Sequence, residues 1–352
     1  MFDKKKYLEK YQKVPVIEYK NNVCQDPLVS VLVQTYQQVN YIGKCLDGIL
    51  EQQTNFQYEI LVGEDDSSDG TRAICLEYAK KFPNKIKLFL HSRANNITVY
   101  GEPSALFNAK YNLYNASGKY IAICEGDDFW LDPLKLQKQV DFLESNQDYG
   151  LVFSDIVRID EKGKVIQTTD YHKRKKALCK SGSIFWDLLD SNFINTLTVC
   201  ARKKIFLNYL YSFDNEYSYD YSSWLYFASN SKIKYIDEKW ASYRIHLNGM
   251  SRLKNFGDKR KPLVRQSALI NYLSINNYNS SIINRYVFSK TVNFILKNKS
   301  LQLKEKKPII TLFIKYPKFL FYILSFYLNR SFSKILNKFN GITKNGNKKN
   351  KI

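Results

Sequence analysis

Four short apolar runs, each followed by a helical pattern, constrain this chain more than any other feature. The runs are LVSVLVQTY (28–36), YEILVG (58–63), IKLFLH (86–91) and KYIAIC (119–124). They are continuous, as strands are when helices cover both of their faces. After the first run, Ile42, Cys45, Leu46, Ile49 and Leu50 follow helical spacing, with Asn40 as the N-cap candidate. After the second, Ser68 or Asp69 offers a cap for a stripe of Ile74, Leu76, Tyr78 and Phe82. A helical stretch covers 103–116. Beyond the fourth run, Pro133 stands near the first turn of a helix that carries Leu136, Val140 and Leu143 on one face. Strand and helix therefore alternate four times. This predicts an α/β fold on an open, mainly parallel sheet flanked by helices. Ligands of such sheets collect at the carboxyl ends of the strands.

The polar residues fall at those ends. Thr35 and Tyr36 close the first run. Glu64, Asp65 and Asp66 close the second, and Glu125, Asp127 and Asp128 close the fourth. Carboxylates this crowded repel one another unless a positive group lies between them. A turn that caps the next helix is the simpler account of any one cluster. Three strand ends opening on one rim point instead to a shared site for a divalent cation. Mg²⁺ or Mn²⁺ takes hard oxygen ligands and keeps several waters, so one or two carboxylates and a substrate diphosphate suffice.

From about 150 the pattern changes. A strand and a hairpin turning near Lys162 and Gly163 come first, followed by a basic loop (172–180) and a short helix near 183–190. A strand entering a helix (NTLTVCARKKIF), a helix over 219–229 and two short strands in KIKYIDEKWASYRIH complete the reading. These elements are expected to extend the sheet and cover one face of the site.

Charge divides the chain. Residues 1–258 hold 34 basic and 32 acidic side chains, whereas residues 259–352 hold 20 basic ones and a single acid, Glu305. The first part reads as an ordinary globular domain and the second as a surface for a negative partner. The N-terminal MFDKKKYLEKYQK has no apolar core of a secretory signal, and the six cysteines are scattered. Neither a disulfide framework nor a zinc site is expected, and a reducing cytoplasm fits.

Four segments in order, SVLVQTYQQVNYIGKCLDGIL, YEILVGEDDSSDGTRAI, GKYIAICEGDDFWLDPLKLQKQVDFLE and DYSSWLYFASNSKIKYIDEKWASYRIH, resemble a bacterial family 2 glycosyltransferase with the GT-A fold, over roughly 28–250. The resemblance implies a Rossmann-like, mixed but mainly parallel sheet, a nucleotide-sugar donor such as a UDP-sugar, a divalent metal (Mn²⁺ or Mg²⁺) and inversion at the anomeric carbon. By the same resemblance Thr35 and Tyr36 line the nucleotide, and Glu64 and Asp65 meet its base and ribose. Glu125, Gly126 and Asp127 match the metal motif, with Asp128 as its acidic neighbour. Asp220 matches the catalytic base of a hexosyl- or N-acetylhexosaminyl-transferase. Tyr243, Arg244 and His246 match a late segment near the donor diphosphate or acceptor. Glutamate replaces the family's more usual aspartate at 64 and 125.

The expected organisation is a lead-in (1–27), a catalytic domain (28–258) with a donor half (28–150) and an acceptor half (151–258), a basic helical extension (259–340) and a disordered tail (341–352). In the extension the uninterrupted apolar run, Phe319 to Leu328, is half of what a spanning helix needs. Aromatics and leucines beside lysines there predict a helix lying on an anionic membrane surface. The alternative is packing on its own domain or on a second subunit of a homo-oligomer. Nucleic acid is not an expected partner, because the aromatics form apolar blocks. A membrane-surface tail implies a glycan or lipid-linked acceptor, a peripheral cytoplasmic location, and a place in capsule or lipopolysaccharide O-chain assembly. Two other readings compete: a sugar nucleotidyltransferase, disfavoured by the glycine-poor loop QTYQQVNYIGK, and a non-catalytic binding protein of the same fold, disfavoured by the acids at the strand ends.

Overall fold

The computed structural model of the chain describes residues 3–99, 102–212, 220–247 and 249. They belong to one compact unit, Met1–Asn255. The expectations for the basic extension and the tail lie outside the described residues.

The elements run α1 (Lys4–Tyr11), β1 (Ile17–Glu18), β2 (Val29–Thr35), α2 (Ile42–Leu50), β3 (Tyr58–Glu64), α3 (Thr71–Lys81) and β4 (Ile86–Leu90). A small hairpin, β5 (Thr98–Val99) and β6 (Glu102–Pro103), leads to α4 (Leu106–Asn115), β7 (Tyr120–Ile123), β8 (Phe129–Trp130) and α5 (Lys135–Ser145). The second half holds β9 (Tyr149–Asp160), α6 (Asp170–Lys176), α7 (Phe185–Asp190), β10 (Cys200–Arg202), α8 (Lys203–Ser212), α9 (Asp220–Asn230) and β11 (Lys232–Ile245).

Nine strands form one sheet in the order β1-β4-β3-β2-β7-β10-β9-β11-β8. The four strands expected from the sequence, β4, β3, β2 and β7, are mutually parallel. Thr35 pairs with Glu64 and Leu32 with Ile123, so their carboxyl ends open on one rim. Every residue of β3 and all of β2 except Gln34 are buried, which is why these runs show no alternation. On one face Val29, Val31, Val33, Ile60 and Val62 meet Cys45, Leu46 and Ile49 of α2, Cys75 of α3 and Leu136, Val140 and Leu143 of α5. Burying each such aliphatic side chain contributes about 1.5–3 kcal/mol. On the other face α4 lies against β2 and β3, where Asn112 donates to the carbonyls of Val33 and Leu61.

The lead-in, to which the sequence reading assigned no elements, holds α1 and β1: Tyr7 of α1 is fully buried with Ile97, Leu106 and Phe107, and β1 pairs antiparallel with β4. Two other segments differ from expectation. The basic loop is instead the helix α6, whose N-cap Thr169 accepts from the His172 N–H. The two strands expected after Lys232 are one, β11, which runs parallel to β9 and shifts register between Ile236 and Lys239 and again between Lys239 and Ala241. The exposed triplet Asp237, Glu238 and Lys239 occupies that irregularity, so polar residues interrupt the pattern without ending the strand. Among the described residues no helix is long and apolar enough to cross a membrane.

Candidate active site

The end of β3 is built from acids that carry their own counter-ions. Glu64 is fully buried; its Oε1 accepts the Ser67 N–H at 2.7 Å and its Oε2 accepts from Arg72. Both oxygens are therefore committed to the chain. Glu64 thereby shapes the 64–72 turn. Asp65 is also buried, and its Oδ2 accepts from Arg93 Nη1 at 2.8 Å and from Asn96 Nδ2 at 2.9 Å. Its Oδ1 is shielded and has no partner among the described residues. Burial pushes the Asp65 carboxyl up to about 6, against the pull of Asn96 and Arg93. Arg93 also lies 3.8 Å over the ring of Tyr36, which is 39% exposed. Tyr36, Asp65 and Arg93 thus meet at one end of the rim, with a part-exposed aromatic surface and a shielded acceptor oxygen that has no partner among the described residues.

At the end of β7 no lysine or arginine among the described residues pairs with a carboxylate, and the ring beside Asp127 is the imidazole of His246. The loop after Ile123 is held to β2, where Cys124 N–H donates to Leu32 and Gly126 N–H to Gln34. Gly126 lies directly against Thr35, whose Oγ1 bonds Gln38. A Cβ at 126 would come within 2.4 Å of the Gln38 Oε1 and 2.9 Å of the Thr35 side chain, so the loop sits this low only with glycine there. Glu125 Oε2 is shielded and unpartnered among the described residues. Burial first, then Asp127 and Asp220, push the Glu125 carboxyl up to about 8. Asp127 is half-buried, and its Oδ2 lies 2.9 Å from Nε2 of His246.

Asp128 is tied to β11. It is buried, and its Oδ1 accepts the backbone N–H of Arg244 at 2.7 Å, which ties the end of β11 to this loop. Burial, followed by Asp127 and Glu125, raises its carboxyl well above the ordinary range.

β11 brings Arg244 and His246 to the loop from 117 and 119 residues away. Arg244 Nε donates to the Asp127 carbonyl at 2.9 Å, and its Nη1 donates to the carbonyls of Asp160 and Glu161. The guanidinium therefore welds three segments together, and the two ends of β9 and β11 close beside the acids. Asp220 is exposed at the first turn of α9, where the helix dipole favours a negative charge. Its negative charge is the smallest of the influences that raise the Glu125 carboxyl.

Thr35 thus abuts the Glu125–Asp127 loop through Gly126, Arg244 and His246 reach Asp127 from the end of β11, and Tyr36 and Asp65 meet at Arg93 on the strand end beyond. Sequence reasoning missed Arg72, Arg93, Asn96 and Tyr41. Arg93 and Asn96 follow the third apolar run in HSRANN, the strand-end position that flagged the acids, so their place was the available signal.

No three described His, Cys, Asp or Glu side chains form a ready-made metal cage. The donor set nevertheless fits a hard divalent cation. Glu125 and Asp127 offer carboxylate oxygens, Glu125 Oε2 lacks a proton donor among the described residues, and the imidazole of His246 adjoins Asp127. Two carboxylates with an open side match a Mg²⁺ or Mn²⁺ that shares its remaining positions with water and phosphate oxygens.

The family model described as glycosyl transferase family 2 matches residues 30–206. An uncharacterized protein of Mycobacterium tuberculosis (strain H37Rv) is 32% identical over 237 residues, covering 66% of this chain and 63% of that protein; the match thus spans under two thirds of that relative's length. An uncharacterized glycosyltransferase of Methanocaldococcus jannaschii is 30% identical over 236 residues, 65% of this chain and 75% of that protein. Among solved structures, S. aureus TarS 1–349 in complex with UDP-GlcNAc superposes with a TM-score of 0.55 at 16% identity, covering 81% of this chain and 79% of that one. The likeness is one of fold, that of the GT-A glycosyltransferases.

Proposed function

The chain belongs to glycosyl transferase family 2, and on that premise we propose that it is an inverting transferase. It moves a hexosyl or N-acetylhexosaminyl group from a nucleotide-diphosphate sugar, a UDP-sugar first, to a hydroxyl of a glycan or lipid-linked acceptor. Cell-surface polysaccharide assembly on the cytoplasmic face of the membrane is the setting that fits the basic extension. The observation that carries the reading is the unbalanced acid loop, Glu125 and Asp127 beside Asp220, on the same rim as the aromatic and acceptor face of Tyr36 and Asp65. TarS, which shares the fold, has been solved with UDP-GlcNAc and supports a UDP-sugar as the first donor to test.

In this reading Tyr36 stacks on the base, and Asp65 Oδ1 accepts a hydrogen bond from the nucleoside. Asp127, Glu125 and His246 would hold Mn²⁺ or Mg²⁺, which when bound neutralises charge on the departing diphosphate. Asp128 keeps Arg244 in place, and the guanidinium adds positive charge beside the leaving group. Asp220 takes the proton of the acceptor hydroxyl as it attacks C1 from the face opposite the diphosphate. A positioned base of this kind contributes about 10²–10⁴-fold.

The test is a thermal-shift screen of UDP-, GDP- and dTDP-sugars with and without Mn²⁺, followed by an assay for slow nucleoside diphosphate release. Metal-dependent stabilisation by one donor class with release of its diphosphate is expected. Pyrophosphate release from a nucleoside triphosphate and a sugar phosphate would instead make the protein a nucleotidyltransferase.

A further inference from the structure

We propose that Tyr41 is a positioning residue whose ring holds the His246 imidazole against Asp127; the proposal rests on the reading of Asp127 as part of a metal and diphosphate site. Tyr41 stands at the N-cap of α2, a position that favours Ser, Thr, Asp or Asn because their side chains can accept backbone N–H groups. Tyrosine makes no such cap there. Its backbone is fixed independently of its ring: its N–H donates to the Gln38 carbonyl at 2.9 Å, and its carbonyl accepts from Cys45 at 3.1 Å. The hydroxyl has no hydrogen-bond partner among the described residues. What the side chain does is carried by the ring.

That ring touches both groups that β11 delivers to the acid loop. The Arg244 guanidinium lies 4.5 Å from the Tyr41 centroid, and the His246 ring lies 5.0 Å away at 56°. A second aromatic, Phe129, has the same guanidinium at 5.8 Å and Lys44 Nζ at 4.0 Å. Arg244 and His246 both end on Asp127, one on its carbonyl and the other on its carboxylate. Three elements distant in sequence, α2, the loop after β7 and β11, therefore meet through one ring. Arg244 has carbonyl acceptors that keep it in place without help. Among the described residues the His246 ring has its polar contact with Asp127 alone, so the Tyr41 face is what restrains the imidazole from its other side. Attraction between an aromatic face and a cation at a partly desolvated site amounts to a few-fold to about thirtyfold in an equilibrium.

The role is tested with Tyr41→Phe, which keeps the ring, and Tyr41→Leu, which keeps bulk without it. Mn²⁺ alone is titrated by electron paramagnetic resonance. Tyr41→Phe is expected to bind within twofold of wild type and Tyr41→Leu about tenfold more weakly. Equal affinity of the two variants overturns the proposal. A second readout needs no metal: nuclear Overhauser contacts between the His246 ring protons and the Asp127 Hβ protons report whether the imidazole stays on the carboxylate. If wild type takes no Mn²⁺, the metal reading fails, and these contacts decide the positioning role by themselves. Contacts present in wild type and Tyr41→Phe but lost in Tyr41→Leu support it; contacts retained in Tyr41→Leu, or absent from wild type, overturn it.

Discussion

The ends of β3 and β7 are separated by one strand and carry similar clusters of acids, yet the chain treats them oppositely. At β3 the protein supplies the positive charge itself, with Arg72 on Glu64 and Arg93 on Asp65. At β7 the one nearby guanidinium among the described residues, Arg244, bonds to main-chain carbonyls, and Glu125 Oε2 has no donor among those residues. Asp220 adds a further negative charge to that side. Burial of unneutralised carboxylates is costly, so the second cluster is favourable only when a cation or a proton arrives from outside. The first cluster shapes a cradle, and the second is built to take a charge. The difference separates acids paired with an arginine of the chain from acids that have none among the described residues, although their letters are nearly the same.

The comparison can be broken most directly at Asp220. Asp220→Asn preserves the shape of the helix start and removes the proposed base, so turnover should fall about 10²–10⁴-fold with donor affinity nearly intact. Normal sugar transfer by this variant would show that the base lies elsewhere. Asp127→Ala comes next: the Mn²⁺-dependent part of donor stabilisation should vanish, and turnover should drop about 10²–10³-fold, the scale seen when a group that stabilises transition-state charge is lost. A donor melting curve that still responds to Mn²⁺ in this variant would remove Asp127 from the metal site.

On the β3 side the expected loss is in stability. Arg72→Ala leaves the buried Glu64 without its partner and should cost about 3 kcal/mol in urea unfolding, because breaking a buried pair strands a charge. A change under about 0.5 kcal/mol, the scale of an ordinary surface substitution, would mean that the two ends are not balanced differently after all.

The smallest effect sharpens the contrast by pH. Glu125 in the fold holds its proton up to about 8, above the ordinary value of 4.5. The folded state then binds more protons than the unfolded one between those values. Its contribution is fully present below 4.5 and is lost as pH rises through 8. Asp65 adds a slope of the same sign between 3.8 and about 6. Metal-free melts from about pH 4.5 to about pH 9 should therefore fall in midpoint, and Glu125→Gln should flatten the upper part. An unchanged profile in that variant would assign the slope to another group.

Much of the scaffold was legible in the chain. The four parallel strands fall within a residue or two of their apolar runs, because strands buried on both faces leave a continuous hydrophobic mark that local sequence cannot hide. The acids at strand ends were legible for the same reason, since the end of a run is a local feature. The N-terminal helix was not, because α1 has polar residues at most positions and its order comes from Tyr7 inserting beside Phe107, a contact 100 residues away. β11 was read as two strands because local pattern registers the exposed Asp237–Lys239 triplet but not the partner strand that carries the ladder past it.

The sequence by itself determined the α/β class, the rim on which the site opens and the presence of acids there, since each depends on short-range periodicity. Only the tertiary structure decided which acids are balanced and which are left open. That depends on where Arg72, Arg93, Arg244 and His246 are delivered, across 8 residues for the Arg72–Glu64 pair and 119 for the His246–Asp127 pair. Electrostatic balance is a property of distances in space, and spacing along the chain fixes those only inside a helix, a strand or a tight turn.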